Sequence, residues 1–87
     1  MATDIVNKWP LTIGRVGTDI EINESYISKI HTILVYKDGK YIIADNDSTN
    51  GTKVNGILLK PKVPVVLHSG YKILIADEEE FEVYINE

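Results

Sequence analysis

Two dipeptides limit what this chain can fold into more than any other feature. Asp38-Gly39 separates His31-Thr32-Ile33-Leu34-Val35-Tyr36-Lys37 from Lys40-Tyr41-Ile42-Ile43-Ala44-Asp45. Asn55-Gly56 separates Thr52-Lys53-Val54 from Ile57-Leu58-Leu59. A two-residue hairpin in a type I′ turn needs φ > 0 at both central positions, which Asp-Gly and Asn-Gly accept most readily. The flanking runs are rich in β-branched and aromatic residues, so both dipeptides predict antiparallel hairpins.

The rest of the chain follows the same period. Trp9, Leu11 and Ile13 alternate in Trp9–Gly14, which predicts a strand, and Ile20-Glu21-Ile22 predicts a short second one. Pro61 and Pro64 bracket Lys62-Val63, which makes that region an edge or a connector. Val65-Val66-Leu67 predicts a strand, His68-Ser69-Gly70 a turn, and Tyr71–Ala76 and Phe81–Asn86 the last two strands. No window of ten residues carries an apolar period of 3.6, and nothing repeats. The expectation is all-β: a twisted sandwich of two antiparallel or mixed sheets, about ten short strands and no significant helix. The tight hairpins, and the lack of a glycine pattern that would turn barrel corners, favour the sandwich over a barrel.

Composition narrows the function. Eighty-seven residues make one domain, 1–87, with a core that is small for its surface. No apolar run is long enough to predict a membrane span, and Met1–Asn7 lacks the basic and apolar regions of a signal peptide. There is no cysteine, which removes disulfides and thiol chemistry and fits a reducing, cytoplasmic location. The net charge of −4 is uneven: residues 1–44 balance, whereas five carboxylates crowd into Asp77–Glu82. That run argues against a nucleic-acid surface and reads as a solvated turn.

Catalysis is poorly supplied. His31 and His68 are the only histidines, with no Gly-x-Ser-x-Gly elbow and no histidine spacing suited to a metal. Asp45, Asp47 and Asn50 hint at a calcium loop, but its twelfth position is Gly56 instead of a glutamate. Anion binding is better provided for. Three polar loops, Gly14-Arg15, Ser28-Lys29-Ile30-His31 and Ser48-Thr49-Asn50-Gly51, bring a guanidinium, hydroxyls and loop N–H groups to what could be one site. Taken singly, each has a plainer reading: Arg15 an ion pair with Asp19 or Glu21, Ser28 and Asn50-Gly51 turns, and Lys29 a solvated charge.

Taken in order, Gly14-Arg15, Asp19-Ile20, Ser28-x-x-His31, Asp45…Ser48-Thr49-Asn50-Gly51-Thr52 and Asn55-Gly56 resemble the forkhead-associated (FHA) domain. The resemblance runs from about Thr12 to the last strand, and Leu67-His68-Ser69-Gly70 before Tyr71–Ile75 is similar to the family's late strand pair. It implies a non-catalytic module without metal or cofactor, whose end loops grip phosphothreonine. By position, Arg15, Ser28, Lys29 and Thr49 are the implied phosphate ligands, with Lys29 acting as a point charge where the family often has arginine. Asn50 is implied to hold the ligand's main chain, and His31 to stabilise the loop behind Ser28. Gly14 and Gly51 are implied as backbone necessities, and Asn55-Gly56 as a turn behind the site. The implied partner is a phosphothreonine-containing protein, separate or within the same parent chain; nucleic acid, membrane and small-molecule substrates are not expected.

The chain departs from the family pattern at Tyr71, where an acidic residue is common, at Ala76, where glycine is, and at Thr32, where a small residue usually follows the histidine. The N-terminal segment is short for the fold. An abbreviated first strand or a flexible lead over 1–8, and excision from a longer protein, therefore stay open. An FHA-like fold that binds partners or oligomerises without phosphate is the alternative function.

Overall fold

The computed structural model describes residues 8–85. The expected lead over 1–8, apart from Lys8, lies outside them, as does Asn86 of the expected last strand. Nine strands are present among the described residues: β1 Leu11–Gly14, β2 Ile20–Glu21, β3 Thr32–Lys37, β4 Lys40–Asp45, β5 Thr52–Val54, β6 Ile57–Leu58, β7 Val65–Leu67, β8 Lys72–Ile75 and β9 Glu79–Glu82. They form a five-stranded sheet in the order β2-β1-β3-β4-β7 and a four-stranded sheet in the order β6-β5-β8-β9. Only β1 and β2 pair in parallel; every other pair is antiparallel. The result is the mixed β-sandwich expected from the alternation.

Both predicted hairpins close as two-residue turns. Lys37 pairs with Lys40 across Asp38 (φ 53°) and Gly39 (φ 77°), and Val54 pairs with Ile57 across Asn55 (φ 51°) and Gly56 (φ 80°). Left-handed φ at both central residues is the type I′ geometry, whose twist matches that of the flanking strands.

The register sets what is buried. Leu11 pairs with Leu34 and Leu34 with Ile43, so these side chains face the second sheet. Ile13, Ile43, Leu67, Ile73 and Ile75 form the centre of the core, and Ile27 and Leu59 plug it from loops. Trp9 is not part of that centre. It is half-buried just before β1 and packs on Tyr41 and Tyr36 at ring-centroid distances of 5.6 and 6.4 Å.

Two strand assignments need correcting. The last strand runs Glu79–Glu82 instead of starting at Phe81 and continuing past it, so three of the five acids in the run, Glu79, Glu80 and Glu82, are strand and not turn. The cause lies in the turn: Ala76 and Asp77 both adopt left-handed φ (55° and 56°), which reverses the chain quickly and sets Ile75 opposite Glu79. The alternation then half-buries Glu79 and Phe81 and exposes Glu80 and Glu82. Carboxylates along an edge strand discourage pairing with another chain. His31, expected to open β3, instead precedes it, and its side chain is fully buried.

Candidate functional site

The three polar loops meet at one end of the sandwich. Gly14 ends β1, and Arg15 N–H donates to Ser28 O at 3.0 Å, joining the first loop to the second. Ser28 joins the second to the third: its Oγ accepts the Thr49 N–H at 3.0 Å. That bond uses an acceptor site on Oγ and leaves its O–H free to donate outward. Asn50 donates through Nδ2 to Tyr26 O at 2.8 Å, a second tie between the same two loops.

His31 is the brace behind this seam. Its Nδ1 accepts the Ser28 N–H at 3.0 Å, so the proton sits on Nε2, which donates to Gly51 O at 2.8 Å. The ring therefore spans from the Ser28 loop to the Gly51 loop, and each loop leads into a different sheet. Gly14 is needed for space: a Cβ there would run into the backbone carbonyl of Lys29. Gly51 has φ 84°, and a Cβ on it would lie 2.8 Å from Leu58 Cδ1.

Beneath the third loop sits a buried polar network. Asp45 is 2% exposed and accepts from Ser48 Oγ (2.6 Å), Thr52 Oγ1 (2.7 Å) and Ser48 N–H (2.9 Å). Ser48 Oγ in turn accepts the Gly51 N–H at 2.9 Å. Burial alone would raise the Asp45 carboxyl, but the hydrogen bonds from Ser48 and Thr52 outweigh it and hold it below the usual carboxylate value. Thr32 and Thr52, both fully buried, share a hydroxyl hydrogen bond at 2.9 Å across the two sheets. That partner accounts for a threonine where the family usually has a smaller residue.

Arg15 is half-buried, and among the described residues no carboxylate lies within ion-pair distance of it. The two acids that could have neutralised it are engaged elsewhere. Asp19 accepts from the Thr12 N–H and hydroxyl and from Lys8, which hold its carboxyl below the usual range; Glu21 accepts the Gly17 N–H at 2.6 Å. Lys29 is exposed beside Ser28. Asn55 and Gly56 do not join the cluster. They sit at the far end of β5, where Asn55 Oδ1 accepts the Lys72 N–H at 2.9 Å.

Sequence reading missed Tyr26. Its carbonyl fixes Asn50, and its hydroxyl donates to Glu79 at 2.6 Å, which pushes the phenol up to about 12. Through Tyr26, Glu79 of the acidic run is therefore tied to the residue that anchors Asn50. No local signal marks Tyr26, because its partner is 53 residues away. Among the described residues there is no group of three or more acidic or histidine side chains placed to hold a metal ion.

The family model for the FHA domain matches residues 11–76. Solved structures with the same architecture include EmbR of Mycobacterium tuberculosis in complex with a low-affinity phosphopeptide, 31% identical with a TM-score of 0.78. That alignment covers 85% of this chain but only 19% of EmbR, so this chain spans about a fifth of that protein. The N-terminal FHA domain of S. cerevisiae Rad53p, in complex with a phosphothreonine peptide, is 27% identical with a TM-score of 0.79, covering 87% of this chain and 67% of that one. The MEK1 FHA domain, in complex with the HOP1 pThr318 peptide, is 25% identical with a TM-score of 0.81, covering 95% and 86% of the two chains. No curated protein matches the sequence at a significant level.

Proposed function

The chain belongs to the FHA domain family, and on that premise we propose that it is a phosphopeptide-binding module recognising phosphothreonine in a partner protein. The observation that carries this reading is an Arg15 with no carboxylate in ion-pair distance among the described residues, whose own N–H is bonded to Ser28, the residue whose hydroxyl is anchored by Thr49 N–H. A cation with no carboxylate partner among the described residues, on a loop bonded to Ser28, is a place for a dianion. The Rad53p and MEK1 domains were solved with phosphothreonine peptides, which supports the same ligand here.

In this reading Arg15 forms a fork on the phosphate, Ser28 and Thr49 donate their hydroxyl hydrogens to it, and Lys29 adds a point charge. Asn50, with Nδ2 committed to Tyr26, holds the peptide's main chain through Oδ1, which accepts an N–H. The module binds and does not catalyse. It acts in signalling inside the cell, where kinases supply the ligand. Among the described residues no helix is long and apolar enough to cross a membrane.

Hydrogen bonds to a charged group contribute about 1.5–3 kcal/mol each. Three or four of them, less the cost of association, place the complex near micromolar, about −8 kcal/mol. Calorimetric titration of a phosphothreonine peptide and its unphosphorylated twin tests the assignment. We expect binding only with phosphate, and a loss of at least about tenfold in Arg15→Ala, equivalent to one charged hydrogen bond. Equal binding of the two peptides would replace this reading with a phosphate-independent contact.

A further inference from the structure

The two edges of the four-stranded sheet are unlike. β9 presents Glu80 and Glu82 to solvent, the kind of charge that keeps an edge from pairing. β6, the other edge, has only Ile57 and Leu58, which are 70% and 60% exposed. An unguarded apolar edge is a template for another strand. This edge begins at the loop cluster, because Leu58 packs over Gly51, the residue that follows Thr49 and Asn50.

The backbone of β6 is open as well. Leu59 N–H donates to Thr52 O at 2.9 Å, and Leu58 faces Lys53 in the neighbouring register position. Hydrogen-bonded and non-hydrogen-bonded pairs alternate in an antiparallel ladder, so the N–H and C=O of Leu58 point away from β5. Ile57 and Leu58 are successive strand residues and project to opposite faces of the sheet. A ligand lying on either face would meet one of them; an extended chain running along the edge meets both.

We propose that the partner segment adjoining the phosphothreonine continues as an extended strand along β6. It pairs with the N–H and C=O of Leu58 and places apolar side chains against Ile57 and Leu58. The proposal rests on the phosphothreonine reading and adds a second determinant to it: an apolar, strand-forming stretch within a few residues of the phosphate. The geometry allows that reach. Gly51 is two chain steps of about 3.8 Å from Thr49, and an extended peptide advances about 3.3 Å per residue.

The test uses alanine-based phosphothreonine peptides in three forms: a short one ending one residue either side of the phosphothreonine, one extended by alternating Val and Thr on its N-terminal side, and one extended likewise on its C-terminal side. We expect one of the extended peptides to bind about tenfold tighter than the short one. N-methylation of the extension's backbone, or Asp in place of its Val residues, should remove that gain. The combined Ile57→Ser, Leu58→Ser variant should remove it too while still binding the short peptide. The proposal is overturned if neither extension improves on the short phosphopeptide, or if the gain survives N-methylation on the native protein. Binding that ignores the phosphate altogether overturns the phosphothreonine reading instead, and takes this one with it.

Discussion

Two buried side chains hold the loop cluster together, each in a different way. His31 acts as a spacer with a hydrogen bond at either end. His31→Ala would leave a cavity and strand the Ser28 N–H, so we expect a loss of about 2–4 kcal/mol in urea denaturation, with weaker phosphopeptide binding. Asp45 acts as a charged acceptor. Its folded-state value lies below the ordinary one, so the stabilisation it gives is fully present above the unfolded value, near 3.9, and is lost as pH falls through the folded value. Stability measured on an acid series should therefore drop for the native chain below about pH 4. Asp45→Asn should be less stable at neutral pH and show a shallower acid limb. An acid limb unchanged by the substitution would mean that Asp45 does not carry this effect.

Among the elements, the turns decide where strands begin. Gly56 holds φ 80°, and Gly56→Ala should cost about 1 kcal/mol in thermal denaturation because a Cβ disfavours that conformation. Ala76 presents the opposite case. It already holds φ 55° and is also 6% exposed, packed in the core. Ala76→Gly relieves about 1 kcal/mol of backbone strain and removes a buried methyl worth about 0.8 kcal/mol, so stability should hardly change. Ala76→Val, β-branched at the same φ, should destabilise by well over about 1 kcal/mol. This near-balance explains how alanine can stand where the family commonly has glycine.

Over the whole molecule, the two sheets are tied at the loop end by hydrogen bonds from His31 to Gly51, Thr32 to Thr52, and Thr52 to Asp45. Among the described residues no buried side-chain polar atom lacks a partner, so these ties carry no unpaired penalty. Rigid loops need little reordering to take up a ligand, and ligand binding then adds directly to the stability of the fold. Phosphothreonine peptide at 100 times its Kd should add about 2.7 kcal/mol. In a domain of this size that raises Tm by roughly 10 °C or more, and the unphosphorylated peptide should give no shift. The net charge of −4 opposes a dianion at long range, so on the proposed assignment the attraction comes from Arg15 and Lys29 at short range.

The fold class, both type I′ hairpins and most strand positions are legible in the residues alone, because these depend on period and turn chemistry within a few residues. The same reading places Arg15, Ser28 and Thr49 on loops, and their order carries the family resemblance. Tertiary structure decided whatever depends on distant partners. Only the packed chain shows that Asp19 and Glu21 are engaged away from Arg15, that His31 is shared by two loops, and that Thr32 is offset by Thr52. It also decided that Glu79 reaches Tyr26 and that the acidic run is partly an edge strand. The physical reason is the same in each case: a hydrogen bond between loops is set by sheet register and sandwich closure, and neither is written in any local stretch of residues.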